Sequence, residues 1–191
     1  MTTTVVRVEI VIEPVRHEAL IRSDDVASLA GLFDAEYLAD FGPWHPAQPY
    51  GYAPHDVHVI AHSDAVVLGH AGWGRRRISV GDGEVVIAGV GGVLVAGSAR
   101  GQRLGERLMA ALARSMADDG GIEFGYLGCR EEVVPFYEAC GWTRITAAER
   151  SISRDGMPVE DPSGQPLLIL PIASPLDAWP VGVIHLRGRA W

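Results

Sequence analysis

A glycine-containing segment that leads into a helix has the clearest chemical potential in this 191-residue chain. It reads Arg100-Gly101-Gln102-Arg103-Leu104-Gly105, and the apolar residues that follow are spaced by four. The first N–H groups of a helix have no partner within the helix, and the helix dipole places partial positive charge there. Basic side chains are unfavourable at such a position unless an anion is nearby, and arginines add charge-assisted hydrogen bonds to that anion. The segment therefore predicts a phosphate or pyrophosphate site.

Three glycines interrupt the apolar strand that precedes this segment. Gly89, Gly91 and Gly92 lie among β-branched residues, where each glycine weakens a strand through backbone entropy. One explanation is a β-bulge that separates the strand from its neighbour and lets a ligand lie alongside Val93 to Val95. The other is close packing against a helix. The glycines alone leave both explanations open.

Three histidines lie close together in the chain and raise the question of a metal site. His55, His58 and His62 fall on a predicted strand, where alternation places His55 on the opposite face from the other two. Three ligands on two faces of a strand cannot converge on one ion. We therefore predict no metal site.

The elements that position these residues follow from hydrophobic period and turn signals. The clearest helix runs from Leu104 to the glycines at 120 and 121, and Asp24 or Asp25 is predicted to cap an earlier helix that extends through Phe33. A third, short helix is predicted at 131–139, and a long loop rich in Gly, Pro and aromatic residues at 40–54. The predicted strands lie at 5–12, 55–61, 65–80, 84–95, 124–129, 142–152 and 167–172. This order predicts an α/β fold with a mixed sheet.

Composition limits the classes of function. The chain has 16 basic and 24 acidic residues and a net charge of -8, which disfavours nucleic acid and favours a cationic ligand. No apolar run approaches the roughly 20 residues that a membrane span needs. With two cysteines and Met1 followed by three threonines, we expect a cytoplasmic protein, and residues 1–191 fit one domain.

Two segments together resemble the GCN5-related N-acetyltransferase (GNAT) superfamily. The first is the run from Arg100 to Gly105, although Arg103 stands where that superfamily usually has a glycine. The second is Val134-Pro135-Phe136-Tyr137-Glu138-Ala139-Cys140-Gly141-Trp142. The resemblance covers residues 93–142. It implies a central sheet of about seven strands with a splayed central pair, flanked by helices, and acetyl-CoA bound by Val93, Val95, Arg100, Gly101, Gln102, Arg103, Leu104 and Gly105.

The same resemblance implies catalytic roles for two residues. The N–H at Val95 would stabilise the oxyanion of a tetrahedral intermediate, and Tyr137 would protonate the departing CoA thiolate. An acyl-enzyme at Cys129 is conceivable, but direct transfer to the acceptor amine is preferred because no histidine is placed beside that thiol by the sequence. The base that deprotonates the amine is not identified. Gly91 stands where aminoglycoside N-acetyltransferases have an acidic residue, and Glu84, Asp40 and His45 are weak candidates.

A narrower resemblance concerns the acyl acceptor. Leu170-Pro171-Ile172 and the final Trp191 are similar to aminoglycoside 2′-N-acetyltransferases, as are Asp40-Phe41 and Trp44. It implies that Asp40, Trp44 and Trp191 bind an amino sugar through carboxylate and indole contacts. Arg189 and Ser163 stand where that family has acids, which favours a less cationic antibiotic of the kasugamycin kind. We therefore predict acetyl transfer from acetyl-CoA to an amino-sugar amine.

The alternatives differ in acyl donor, acceptor or catalytic competence. The segment from Arg76 to Gly81 and the tail with Leu170-Pro171-Ile172 and Trp179-Pro180 resemble rhizobial nodulation N-acyltransferases, which put a fatty acyl group onto a chitooligosaccharide amine. A non-catalytic module that binds CoA or an amino sugar is another possibility, and a protein acetyltransferase is a third. A homodimer is possible.

Overall fold

The computed structural model describes residues 9–191 and contains four α-helices and ten strands there. None of those helices is both long and apolar enough to cross a membrane. Short 3₁₀ turns lie at Pro49–Gly51, Gly97–Ala99, Glu131–Val133 and Leu176–Ala178. In chain order the elements are β1 (Val11–Arg16), α1 (His17–Leu20), α2 (Asp25–Phe41), β2 (Val57–Ser63), β3 (Val66–Val80), β4 (Gly83–Val95), α3 (Leu104–Asp119), β5 (Phe124–Gly128), α4 (Val134–Ala139), β6 (Thr143–Ile145), β7 (Glu149–Ile152), β8 (Pro158–Asp161), β9 (Leu167–Pro171) and β10 (Ile184–Arg189).

All ten strands belong to one mixed sheet, which confirms the predicted α/β class. The strand order is β6-β9-β5-β4-β3-β10-β7-β8, with β2 paired to β3 and β1 paired to β2. Most neighbours are antiparallel, whereas β4 pairs with β5 and β10 pairs with β7 in parallel. The expected number of about seven strands was too low. The first predicted strand, at 5–12, lies partly outside the described residues, and the described strand β1 begins at Val11.

One predicted strand, at 142–152, is two strands with different partners. β6 pairs with β9 at one end of the strand order, while β7 pairs with β8 and β10 near the other end. Only three residues separate Ile145 from Glu149, and the four Cα-to-Cα steps between these two residues span at most roughly 14 Å. The sheet must therefore curl until its two ends approach each other. Tyr126 of β5 donates a hydrogen bond to Glu149 of β7 across this closure.

Helix α3 packs its apolar stripe on the sheet as the spacing by four predicts. Leu104, Leu108, Leu112 and Met116 are each at most 1% exposed. The helix ends at Gly120, whose φ of 75° is the left-handed conformation that favours glycine. Helix α2 covers another part of the sheet with Leu29, Leu32 and Phe33. Asp24 occupies its N-cap position as predicted, but the Asp24 side chain makes no capping hydrogen bond, and the N–H of Asp25 donates to Ser23 Oγ at 3.3 Å.

Candidate active site

The parallel strands β4 and β5 separate part-way along their length. They pair only from Ile87 opposite Phe124 to Gly89 opposite Tyr126, although β4 continues to Val95 and β5 to Gly128. Beyond Gly89 the facing edges of the two strands share no ladder. This opening, the notch, is the splayed central pair that was predicted.

A bulge in β4 directs the strand away from β5. Opposite β3, Gly91 pairs with Gly72 and Leu94 pairs with His70, so β4 carries one residue more than β3 between these pairs. Gly92 lies at the bulge with a φ of 60°, a conformation that side chains rarely adopt. The bulge explanation for the glycines is therefore confirmed at Gly92.

The other two glycines make room for the end of the chain. A Cβ at Gly89 would collide with the indole of Trp191, and one at Gly91 would lie 2.6 Å from the Trp191 carbonyl carbon. Close packing thus explains these two glycines, but the packing partner is Trp191 rather than a helix. Arg76 fixes this residue, with its guanidinium 3.9 Å from the indole centroid and 2.7 Å from the Arg189 carbonyl oxygen.

The N–H of Val95 points into the notch. Ala96 donates its N–H to the Leu68 carbonyl oxygen of β3 at 2.9 Å. Successive N–H groups of a strand point to opposite edges, so the N–H of Val95 faces away from β3. The Val95 carbonyl oxygen also points outward and accepts from Arg100 Nε at 3.1 Å.

The start of α3 forms a shallow cavity of about 320 Å³ beside the notch. Its lining includes six of the eight predicted cofactor-binding residues: Val95, Arg100, Gly101, Arg103, Leu104 and Gly105, with the ring of Phe136 opposite Gly105. Gln102 is exposed outside this lining, and Val93 lines a different cavity. Gly101 has a φ of 76° and Arg103 a φ of 57°. The left-handed backbone at Arg103 explains why glycine suits this position.

Both arginines of this loop are paired with glutamates. Arg100 makes two hydrogen bonds of 3.0 Å to Glu36 of α2, and Arg103 holds Glu106 at 2.7 Å. All four side chains are at least 41% exposed, so water screens these ion pairs and leaves them weak. An anion can therefore compete for the guanidinium groups.

Tyr137 lies on α4 and is 8% exposed. Its ring packs against Phe136 and Trp142 at centroid distances of 5.1 and 6.2 Å. Burial, and then the nearby thiols of Cys129 and Cys140, raise the pKa of the phenol well above its usual value. Tyr137 consequently keeps its proton at neutral pH.

An aromatic cavity of about 390 Å³ opens on the other side of β4 from the start of α3. It brings together the predicted residues Trp44 and Trp191 but not Asp40, whose side chain is exposed on the last turn of α2. The Trp44 ring stacks on Phe33 with centroids 4.9 Å apart, and the backbone N–H of Trp44 donates to Asp34 Oδ1 at 2.8 Å. The complete lining is Phe33, Tyr37, Phe41, Trp44, Pro49, Tyr50, Tyr52, His55, Gly92, Val93, Arg130 and Trp191.

Polar groups inside the aromatic cavity lack partners. The hydroxyl of Tyr50 and both ring nitrogens of His55 are buried without a hydrogen bond among the described residues. Burial and the nearby carboxylate of Asp34 raise the pKa of Tyr50 to about 12. Buried polar groups are nearly always paired, so these atoms indicate a polar ligand or water. Tyr50, Tyr52 and Arg130 were missed from the sequence, although the aromatic loop at 40–54 pointed to the first two.

A second cavity, of about 450 Å³, lies across Trp191 from the first. It shares Tyr52, Arg130 and Trp191 with the aromatic cavity and adds the polar side chains of Glu149, Asp161, Gln165 and Tyr126. Burial raises the pKa of Glu149, a shift that the hydrogen bond from Tyr126 opposes. Together the two cavities form a groove that passes on both sides of Trp191.

The residues named as possible bases do not line this groove. Asp40 and His45 are exposed, and Glu84 binds Arg187 at the far end of β4. Gly91 stands where aminoglycoside N-acetyltransferases have an acidic residue. A titratable group beside this position is His55, whose Nε2 would lie 3.2 Å from a Cβ at Gly91. Burial and nearby His70 lower the pKa of His55 to about 3, so this imidazole is a weak base at neutral pH.

The prediction that His55 faces away from His58 is wrong. His55 precedes the first ladder pair of β2, which joins Val57 to Trp73, so strand alternation does not apply to it. Its ring centroid lies 5.5 Å from that of His58 and 5.8 Å from that of His70 on β3. His62, by contrast, lies apart and binds Glu13 at 3.0 Å.

Comparison with known proteins identifies the family from nearly the whole chain. The family model of nodulation protein A matches residues 10–189. The chain belongs to the nodulation protein A family. No curated protein matches the chain by sequence. The predicted resemblance to aminoglycoside 2′-N-acetyltransferases stays a prediction.

Solved structures confirm the GNAT fold at low sequence identity. The GNAT family N-acetyltransferase YhbS from Escherichia coli, in complex with CoA, has a TM-score of 0.66 and 13% identity over 97% of this chain and 93% of its own. An acyl-CoA N-acyltransferase from Pseudomonas aeruginosa has a TM-score of 0.57 and 16% identity over 85% and 99%. An AtaT toxin mutant, bound to the C-terminus of the antitoxin AtaR and to acetyl-CoA, has a TM-score of 0.54 and 16% identity over 85% and 93%.

Proposed function

We propose that this protein is an acyl-CoA-dependent N-acyltransferase that acylates the amine of an amino sugar. The observation that carries the proposal is the notch, which has the start of α3 on one side and the aromatic cavity on the other. A thioester laid in the notch would have its pyrophosphate at a helix start and its acyl carbon near Val95. The CoA and acetyl-CoA held by two neighbours of the same fold support this donor.

The loop between β4 and α3 suits a pyrophosphate. Gly101 and Arg103 have left-handed backbone, the conformation that helps to turn successive N–H groups toward one point in backbone anion nests. The dipole of the 16-residue helix α3 adds positive potential at the same place. Arg100 and Arg103 would exchange their screened glutamate partners for phosphate oxygens.

The aromatic cavity suits a sugar better than a hydrocarbon chain. Rings of Trp44, Tyr52 and Trp191 offer faces on which a sugar can stack, while Arg130 and the unpartnered Tyr50 hydroxyl offer hydrogen bonds. An acyl chain in this cavity would leave the Tyr50 hydroxyl unpaired, which costs about 1–3 kcal/mol.

The length of the groove favours an oligosaccharide acceptor of the nodulation type. The second cavity continues past Trp191 and offers Glu149, Asp161 and Gln165 to further hydroxyl or amine groups. Membership in the nodulation protein A family supports the same choice, since the reaction attributed to that type is acylation of a chitooligosaccharide amine.

Acetylation of an aminoglycoside antibiotic is the second candidate, favoured by Trp44 and Trp191 in the cavity. Its weakness is electrostatic. The aromatic cavity has Arg130 but no aspartate or glutamate in its lining, whereas a polycationic drug needs several carboxylates. A kasugamycin-like compound carries fewer charges and would lose less binding free energy in a cavity without carboxylates.

In the proposed reaction the acceptor amine attacks the thioester carbonyl directly. The N–H of Val95 stabilises the oxyanion by up to a few kcal/mol, and Tyr137 gives its proton to the departing thiolate. Burial raises the pKa of the Cys129 thiol, which disfavours the thiolate that a covalent route requires. A water held in the aromatic cavity is the expected acceptor of the amine proton, because the pKa of His55 is too low.

The experiment combines thiol release with product mass. Acetyl-CoA and longer acyl-CoA donors are each paired with chitooligosaccharide amines, kasugamycin, an aminoglycoside and a peptide amine. We expect release of CoA thiol together with an acyl group on the chitooligosaccharide amine. Turnover with peptides alone would contradict the proposal, and CoA binding without turnover for any amine would indicate a non-catalytic module.

A Trp44 variant distinguishes the occupant of the aromatic cavity. If the sugar stacks there, Trp44→Ala raises the KM for the acceptor and leaves the preference among acyl donors unchanged. Leu38→Ala, at an exposed position of α2 outside the lining of this cavity, is the control and should change neither quantity. A changed preference for acyl chain length instead would place the acyl chain in this cavity.

A further inference from the structure

The structure brings three buried histidines together from separate segments. His55 lies in the loop before β2, His58 on β2 and His70 on β3, and each is at most 3% exposed. One ring nitrogen of each lies within 4.8 Å of the corresponding nitrogens of both others. A ring nitrogen on a tetrahedral zinc lies about 2.0–2.1 Å from the ion, which puts two such nitrogens about 3.4 Å apart. Rotation of the imidazoles would bring these nitrogens from their present separation to the spacing that zinc requires.

The hydrogen bonds around the cluster allow ring nitrogens of His58 and His70 to direct their lone pairs toward a shared ion. His70 Nδ1 donates to the Gly92 carbonyl oxygen at 2.7 Å, so its Nε2 keeps a lone pair. His58 Nδ1 lies 2.9 Å from that Nε2, and His58 Nε2 lies 3.1 Å from His17 Nδ1. If His58 carries its proton on Nε2 and donates it to His17, its Nδ1 becomes free to bind the ion. No net proton is released in this change.

We propose that His55, His58 and His70 form a site for one divalent transition-metal ion of the zinc type. His55 carries the strongest indication, because both of its ring nitrogens are buried and unpartnered among residues 9–191. Three imidazoles suit zinc and its neighbours rather than calcium or magnesium. The Gly92 carbonyl oxygen and the His17 ring supply the outer hydrogen bonds that orient metal-bound histidines.

An entry route reaches the cluster from the surface. A cavity of about 620 Å³ is lined by His17, His55 and Asp56, together with Glu18 and Asp119. Arg16 and Arg75 line the same cavity and pair with Asp119, which leaves Glu18 and Asp56 as the carboxylates that favour the approach of a cation. The bound ion would join the loop before β2 to β2 and β3, and through His70 it would hold the bulge at Gly92.

Metal binding by the full-length protein tests the site without any activity assay. Protein freed of metal by a chelator is titrated with Zn²⁺ and, separately, with Co²⁺, whose visible absorption reports tetrahedral coordination. We expect one equivalent of tightly held metal, a rise in Tm with Zn²⁺, and a tetrahedral Co²⁺ spectrum. His55→Ala and His70→Ala should abolish all three signals, and His17→Ala should weaken binding about 10–100-fold.

His62→Ala is the matched control, because His62 lies on the same strand β2 but outside the cluster. It should bind metal as the wild type does. His55→Ala removes no hydrogen bond within the described residues but leaves a cavity, so a lower Tm of the metal-free variant is expected and the metal-binding signals, not the Tm of the metal-free protein, decide the test. The proposal is wrong if wild-type protein retains no metal, or if His55→Ala retains as much as His62→Ala.

Discussion

Tyr137 is buried and keeps its proton at neutral pH, and its proposed role as the acid for the departing thiolate is testable with a chemical rescue. Tyr137→Phe should lower kcat with acetyl-CoA about 10²-fold, because the thiolate then departs without a proton. The raised pKa of the phenol means that wild-type protein keeps this proton throughout the neutral range. A donor whose thiol is strongly acidic needs no protonation, so the variant should recover most of its rate with it. Equal losses with both donors would indicate a packing role against Trp142.

Glu149 should make stability depend on pH in an unusual direction. Its folded pKa is raised, so its contribution is fully present below the unfolded pKa of about 4.3 and is lost as pH rises through the folded value. Glu149→Gln keeps an acceptor for the Tyr126 hydroxyl and is neutral at every pH. The variant should therefore gain stability over the wild type as pH rises from about 4 to 8.

Urea unfolding at both ends of that range measures the effect, and Glu160→Gln provides a control of opposite sign. Glu160 is exposed and hydrogen-bonded to Arg150, which lowers its pKa. Its contribution is present above the unfolded pKa and lost as pH falls, so Glu160→Gln should lose a little stability at high pH. A Glu149→Gln difference that does not change with pH would mean that burial does not raise the pKa of Glu149.

At the scale of elements, the loop before α3 connects the donor site to helix α2. Arg100→Ala should raise the KM for acyl-CoA about tenfold, since the lost charge-assisted contact is worth roughly 1.4 kcal/mol after the Glu36 pair is exchanged. An acyl-pantetheine donor has no pyrophosphate and should show no change. Arg114→Ala, on the exposed side of the same helix, is the control. Equal effects on both donors would contradict pyrophosphate binding by Arg100.

Two glycines of different elements should respond in opposite ways to alanine. Gly31 lies inside α2 with open space at its Cβ position, so Gly31→Ala should stabilise by about 0.5–1 kcal/mol. Gly89→Ala should destabilise by about 1–3 kcal/mol, because its Cβ meets the indole of Trp191. Urea unfolding measures both. If Gly89→Ala leaves the free energy of unfolding unchanged, Trp191 can move away from β4 at little energetic cost.

Local patterns predicted the elements whose partners are close in sequence. The hairpins of β2, β3 and β4 and the stripe of α3 follow from period and turn residues. Phosphate binding by the loop before α3 stays a prediction from helix-end physics. The alternation of Ile184, His185, Leu186 and Arg187 was also present, yet β10 was missed because its partners are the distant strands β3 and β7. The aromatic cavity and the histidine cluster were not predictable, because they assemble from loops and strands that only the curled sheet brings together.

At the scale of the whole molecule, the end of the described chain completes both the sheet and the groove. β10 lies between β3 and β7, and the residues after it place Trp191 against Gly89 and Gly91. Arg76 of β3 contacts the Leu186 and Arg189 carbonyl oxygens and the Trp191 indole. The groove proposed for the acceptor therefore depends on a strand that follows the last predicted strand in the chain.

This arrangement predicts that β10 unfolds together with the rest of the sheet. Leu186 is fully buried, so Leu186→Ala should cost about 2–5 kcal/mol, as should Leu112→Ala in α3. Urea unfolding should show a lower midpoint and an unchanged m-value for both variants. If β10 were instead a separately opening flap, Leu186→Ala would leave the main transition in place while the Trp191 environment changed first. That outcome would make the groove a mobile attachment to the fold, whereas a shared transition makes the acceptor site as stable as the core that carries it.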